Sequence, residues 1–175
     1  MYPFLVPIQV EPERKRFDIE MVTIPERLQA TPQPTKLDED RIRKILQKNH
    51  PRQGALEVAH FYAAGMVRKR DERKAYMRMG LVADAGSGFV FAPELAMPDR
   101  ATADIIATAV LNAIDTAQCL PREIRVDQHE FRTILEPLAS ELRLAVRMVK
   151  RLPAALQQAK EELLALMGDP VPVIS

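Results

Sequence analysis

The spacing of apolar residues changes several times along the chain, and each change marks an element. The run "ALEVAHFYAAGMV" is almost continuously apolar, which suits a strand buried on both faces. The polar turn "RKRDERK" leads to a second run, "AYMRMGLVA", and "DAGSG" leads to a third, "FVFAPEL". Three antiparallel strands in a meander are the simplest arrangement. The period then lengthens. In "PDRATADIIATAVLNAIDTAQ", Ile105, Ile106, Ala109, Val110, Ala113, Ile114 and Ala117 recur at three-to-four spacing and predict an amphipathic helix. "REIRV" then predicts a strand, and "QHEFRTILEPLASEL" a helix with Phe131, Ile134, Leu135, Leu138 and Leu142 inward. "AVRMV" predicts a last strand, and "PAALQQAKEELLALM" a last helix opened by Pro153 and closed by Gly168. Pro137 inside the middle helix predicts a kink or local break.

Ahead of the meander, "TKLDEDRIRKILQK" has Thr35 as a cap and Asp38, Glu39 and Asp40 in a first turn. Leu37, Ile42, Ile45 and Leu46 follow at helical spacing, and Asn49-His50-Pro51 stops the helix. Before it, six prolines fall within the first 34 residues, so that segment cannot be helical for long. Its apolar runs "FLVPIQV" and "FDIEMVTIP" flank the charged "EPERKR" and predict an extended arm or loose hairpin. The expected organisation is an arm over residues 1–34, one α/β domain over 35–168 and a tail over 169–175.

Two short strands joined through a helix should be parallel with a right-handed crossover. The expected fold is therefore an antiparallel meander followed by α-β-α-β-α, in one mixed five-stranded sheet. Glu123, Arg125 and Arg147 alternate with Ile124, Val126 and Met148, so one face of the last two strands is partly polar. That favours two-layer packing, with this face solvated or covered by the arm of the same or a neighbouring chain.

The element order is that of the ribonuclease H-like fold. The chain also resembles bacterial domains of unknown function that carry a "P-x-x-I-x-V" strand, an amphipathic helix and a last helix opened by "LP", here "PREIRV" and "RLP". The resemblance spans roughly residues 55–167, and its motifs are structural, so it implies a fold and no activity. Such domains tend to have Gly between the middle helix and the last strand, where this chain has Arg143, which implies a different helix end.

Composition narrows the function classes. With 25 Lys and Arg against 24 Asp and Glu in 175 residues, the net charge of +1 supplies no global field for nucleic acid or an acidic membrane. The lone Cys119 excludes an internal disulfide and a multi-thiolate zinc site, and its place at the end of an apolar helix predicts a buried thiol. No apolar run is long enough to span a bilayer, and the start "MYPFLVPIQVEPERKRF" is unlike a signal peptide. The expected location is cytoplasmic.

The ribonuclease H-like resemblance implies where carboxylates would hold two divalent ions, namely on the first meander strand and after the fourth strand. The first strand offers only Glu57, near its start, with His60 in its middle. Asp84 lies at the end of the second strand, where Ala85, Gly86, Ser87 and Gly88 make the compact polar link that a hairpin requires. A phosphate loop would lead into a helix, and these glycines lead into "FVF". Asp127 ends the fourth strand, yet Asp127 and Glu130 have the spacing of a capping box. His50, His60 and His129 show no ligand spacing, so no metal and no cofactor is expected.

The stretch "RKRDERKAYMR" carries six Lys or Arg, and Arg68, Lys69, Arg70, Arg73, Lys74 and Arg78 are its candidate phosphate contacts. A charged hairpin tip in water explains the same residues, because Tyr76 is the only aromatic there for stacking. The leading expectation is a non-catalytic binding or interaction module, its partner a protein or a nucleic acid. The alternatives are a metal-dependent nuclease using Glu57, Asp84 and Asp127, and a structural subunit dimerising through its arm.

Overall fold

The computed structural model describes residues 2–8, 16–22, 37–68, 74–151 and 154–166. Contacts divide the chain into two units, Met1–Thr31 and Pro32–Ser175. In the first, strands β1 (Tyr2–Ile8) and β2 (Arg16–Val22) form an antiparallel ladder running from Tyr2↔Val22 to Ile8↔Arg16. Pro3 and Pro7 lie an even number of residues apart, so their missing N–H groups fall on the same edge of this ribbon, and a two-stranded ribbon always has an edge to spare.

The second unit opens with helix α1 (Glu39–Gln47). Asp38, rather than Thr35, is its cap, and the side chain of Asp38 accepts from the Arg41 N–H at 3.0 Å. Thr35 lies outside the described residues. Ile42 and Ile45 turn inward, whereas Leu46 is exposed.

Strands β3 (Ala55–Arg68) and β4 (Lys74–Asp84) form a long antiparallel pair. Strand β5 (Glu94–Ala96) adds to β4. It is shorter and later than "FVFAPEL" predicts, because Pro93 has no N–H to give the ladder and pairing resumes only after it. Before Pro93, among the residues of that run, only Val90 bridges back to β4, at Ala83. Helix α2 (Thr102–Ala117), strand β6 (Glu123–Val126), helix α3 (His129–Leu142), strand β7 (Ala145–Met148) and helix α4 (Ala154–Leu166) follow. The sheet order is β5-β4-β3-β6-β7, with β3, β6 and β7 parallel and β4 antiparallel to both of its neighbours. This is the mixed five-stranded sheet expected from the sequence.

Strand alternation sends Leu56, Val58, Val82, Ile124 and Val126 to one face, where they pack with α1, α2 and α3 in the main core. Ile105, Ile106, Val110 and Ile114 of α2 are fully buried, and each side chain contributes about 1.5–3 kcal/mol of apolar burial. Helix α2 approaches the sheet closely over Gly80, where an added Cβ would lie 3.1 Å from Ile105 Cγ2 and 3.3 Å from Ala109 Cβ.

The opposite face carries Phe61, Met79, Leu81 and Ala83, on which Leu156, Ala159 and Leu163 of α4 pack. The expectation of two-layer packing is thus corrected, since helices cover both faces at β3 and β4. The reason lies in the residue types: Phe61 and Leu81 make this face apolar there, and only towards β6 and β7 does it become charged.

Helix α3 runs through Pro137 without a break. Pro137 and Thr133 lie on the exposed side, so the Thr133 carbonyl that loses its N–H partner can be hydrated. Arg143 ends the helix in the left-handed region at φ 56, with its N–H on Ser140 O and the Leu144 N–H on Ala139 O at 2.8 Å. A glycine-type helix end is therefore built here with arginine. Arg52 reaches across to donate to the carbonyls of Leu142 and Arg143, at 3.0 and 2.9 Å.

Candidate functional site

The three carboxylates named from the sequence do not converge. Glu57 is buried in β3, at 4% exposure, and faces the α4 side of the sheet with Arg125 beside it in register on β6. The Arg125 guanidinium lies 3.7 Å from Glu57 and 2.7 Å from Glu123, and Arg147 of β7 reaches Glu123 at 4.0 Å. Burial pushes the Glu57 carboxyl above its ordinary value, Arg125 opposes this, and the Asp84 charge adds to it. Asp84 is paired with Leu56, whose side chain faces the other side of the sheet.

Asp127 follows β6, half-buried, and its side chain has no hydrogen-bond partner among the described residues. The expected capping box is absent. Helix α3 begins one residue later, with Gln128 as its cap and no side-chain cap bond. The ladder to β7 explains the delay, because Val126 pairs with Met148 and its carbonyl accepts from Val149 N–H at 2.8 Å, keeping the chain in strand geometry. Among the described residues, no three His, Cys, Asp or Glu side chains are grouped as ligands of one ion.

Of the basic stretch, Lys69, Arg70 and Arg73 lie outside the described residues. Arg68 and Lys74 are paired at the ends of β3 and β4. Arg78 is half-buried and engaged within the fold, donating to Arg100 O at 3.1 Å and Thr102 Oγ1 at 3.2 Å, with its guanidinium 5.9 Å from the Tyr62 ring centre.

His60 stands on the α3 side of β3, edge-on to Tyr62 and Phe131, with Nε2 buried and without a hydrogen-bond partner among the described residues. Burial, and then the Arg78 charge, lower its pKa from 6.5 to about 4. The imidazole is neutral in the fold at pH 6 and protonated more readily in the unfolded chain. Its contribution to stability is complete above pH 6.5 and is lost as pH falls towards 4. After allowance for screening of a partly exposed ring, this is worth on the order of 1–2 kcal/mol. His60→Phe should remove that part of the acid sensitivity, as read from urea unfolding at pH 7 and pH 4.5.

Of the three carboxylates considered as metal ligands, Asp84 is the one that lines a cavity among the described residues. Its Oδ1 accepts from Gly86 N–H at 3.2 Å, from Ser87 N–H at 2.7 Å and from the Ser87 hydroxyl at 2.7 Å. The Ser87 bonds are the main reason that its carboxyl titrates below its ordinary value. The hairpin reading of "DAGSG" is correct, for Asp84 and Phe89 close the link by a backbone bond of 2.8 Å and Gly88 takes φ +73. Yet the turn also forms one wall of a cleft of about 680 Å³, within the size range of small-molecule sites. The other walls come from residues 53–56, the last turn of α2, and Cys119 with Pro121. Cys119 is half-buried there rather than enclosed in the core, and its thiol donates to Pro51 O at 3.2 Å.

No signal in the sequence located this cleft, because four separate segments build it. The second oxygen of Asp84, Oδ2, lies beside Gly54, 3.5 Å from where a Cβ on that residue would stand. No helix among the described residues is long and apolar enough to cross a membrane. One family model, the domain of unknown function DUF6930, matches residues 41–164. No curated protein matches the chain.

Proposed function

We propose, from the premise that this chain belongs to the DUF6930 domain family, that it is a non-catalytic binding module whose ligand occupies the Asp84 cleft. The observation that carries this reading is the cleft itself, with mostly apolar walls and one carboxylate held by a fixed turn. The element order and the β5-β4-β3-β6-β7 sheet support a scaffold of ribonuclease H-like type. On such a scaffold Arg125 argues against the nuclease alternative, for it neutralises Glu57 on the face where metal ions would need converging negative charge.

A screen of chemically mixed fragments by amide-resolved NMR tests the binding reading. Perturbations should gather at residues 53–56, 84–91 and 113–121, and shifts scattered over the surface would overturn it. A second arm tests the enzyme. Manganese should neither raise the melting temperature nor support cleavage of nucleic acid. Asp127→Asn and Asp127→Ala should both unfold within about 0.5 kcal/mol of the wild type, since Asp127 makes no cap bond. Manganese-dependent cleavage that Asp127→Asn abolishes would replace the binding reading with the nuclease.

A further inference from the structure

Resting on that reading of the cleft, we propose that its ligand is a small organic cation, an ammonium or amidinium group carried on an apolar body. Charge makes the selection. Among the described residues, the ionisable ones lining the cleft are Asp84 and Cys119, with no Lys, Arg or His. An anion entering it would meet the Asp84 carboxylate with nothing to offset the repulsion. A neutral apolar ligand would cover Asp84 Oδ2, which has no hydrogen-bond partner among the described residues, and would strip its water without replacement. A cation carrying N–H donors supplies both the opposite charge and the missing bond.

Three further features of the cleft point the same way. The three bonds to Oδ1 fix the carboxylate before any ligand arrives, so little side-chain freedom is lost on binding. The wall supplied by α2 is its C-terminal turn, at Thr116 and Ala117, where carbonyl groups carry the negative end of the helix dipole and the turn itself contains no basic residue, the nearby Arg41 and Lys48 being paired with Asp115. At the rim, Phe89 is 58% exposed and edge-on to Phe91, which leaves aromatic surface available to a cation or to its apolar body. A single carboxylate is too few ligands for a divalent metal ion, whereas one is what a monovalent organic cation needs.

The test uses the full chain and three probes of nearly equal shape, benzamidinium, benzamide and benzoate, titrated by amide-resolved NMR and calorimetry. Benzamidinium should shift the amides of Ser87, Phe89 and Ala117 saturably, and bind about tenfold or more tighter than benzamide. Benzoate should leave these amides unmoved. Asp84→Asn keeps an oxygen for the turn donors while removing the charge, and should weaken benzamidinium by about tenfold or more. Thr116→Lys, on the exposed last turn of α2, places a competing cation at the cleft and should weaken it likewise, so the inference stays testable if the Asn variant folds poorly. Benzamide binding in the cleft as tightly as benzamidinium would overturn the cation and leave the binding reading standing. If no probe shifts the cleft amides at millimolar concentration, while manganese-dependent cleavage is found, both readings fail.

Discussion

Gly80→Val is expected to lower the unfolding free energy by about 3 kcal/mol, at the upper end of what overpacking usually costs. The cause is the approach of α2 to β4. A Cβ at Gly80 would stand 3.1 Å from Ile105 Cγ2 and 3.3 Å from both Ala109 Cβ and the Ile105 carbonyl oxygen. The carbonyl cannot turn aside without disturbing the helix, and Ile105 is wholly buried, so the strain spreads into the main core. Valine adds two further methyl groups in the same space, whereas Gly80→Ala should cost about half as much. Gly86→Ala is the control. Its Cβ would meet only Asp84 Oδ1, at an ordinary 3.4 Å, and the change should stay within about 0.5 kcal/mol. Urea unfolding of the three variants, with an unchanged denaturant slope, checks the series.

Arg125→Met should destabilise by about 2–3 kcal/mol at neutral pH, less than a fully buried pair would lose because Arg125 is about one-third exposed. What costs energy is the carboxylate left behind, with Glu57 at 4% exposure and its cationic neighbour removed. Without Arg125, burial and the Asp84 charge raise the Glu57 pKa further. A carboxyl raised in the fold stabilises it below the unfolded value of 4.5 and loses that contribution as pH rises through the folded value. The gap between variant and wild type should therefore be wide at pH 7.5 and narrow at pH 4, each pair compared at one pH. Adding Glu57→Leu to Arg125→Met should recover most of the loss, because the buried charge is then gone. A gap that stays constant with pH would show that the Arg125 stem, rather than its charge, matters.

Much of this fold could be read from apolar periodicity because the elements of the second unit bury long, regular faces. In α2, Ile105, Ile106, Val110 and Ile114 repeat as a helix must, and all are buried. Element ends were harder, since competing backbone bonds decide them. Asp127 and Glu130 have capping-box spacing, but the bond from Val149 to Val126 holds the chain extended one residue longer. "FVFAPEL" has the composition of a strand, but Pro93 interrupts its ladder. The site was legible only in part. Local sequence identified the Asp84 turn, because its donors lie two and three residues away. The cleft joins Gly54 to Ala117 and Pro121, and the pairing of Glu57 with Arg125 depends on strand register. Neither leaves a short-range mark in the sequence.

The placement of β3 in the middle of the sheet also bears on how the chain is made. One edge of β3 is closed by β4, its neighbour in sequence, but the other waits for β6, so that Leu56 meets Ile124 only after 68 further residues have been synthesised. Local hairpin pairing is fast, and closing a parallel pair over such a span is slow. In the interval the nascent hairpin presents an unpaired edge and the side chains of Leu56 and Val58, which the finished domain buries. Two nascent chains on neighbouring ribosomes could pair through that edge before either has made its own partner strand. The central strand that fixes the native sheet is thus also where co-translational aggregation would begin, and factors that shield emerging hairpins would act there first.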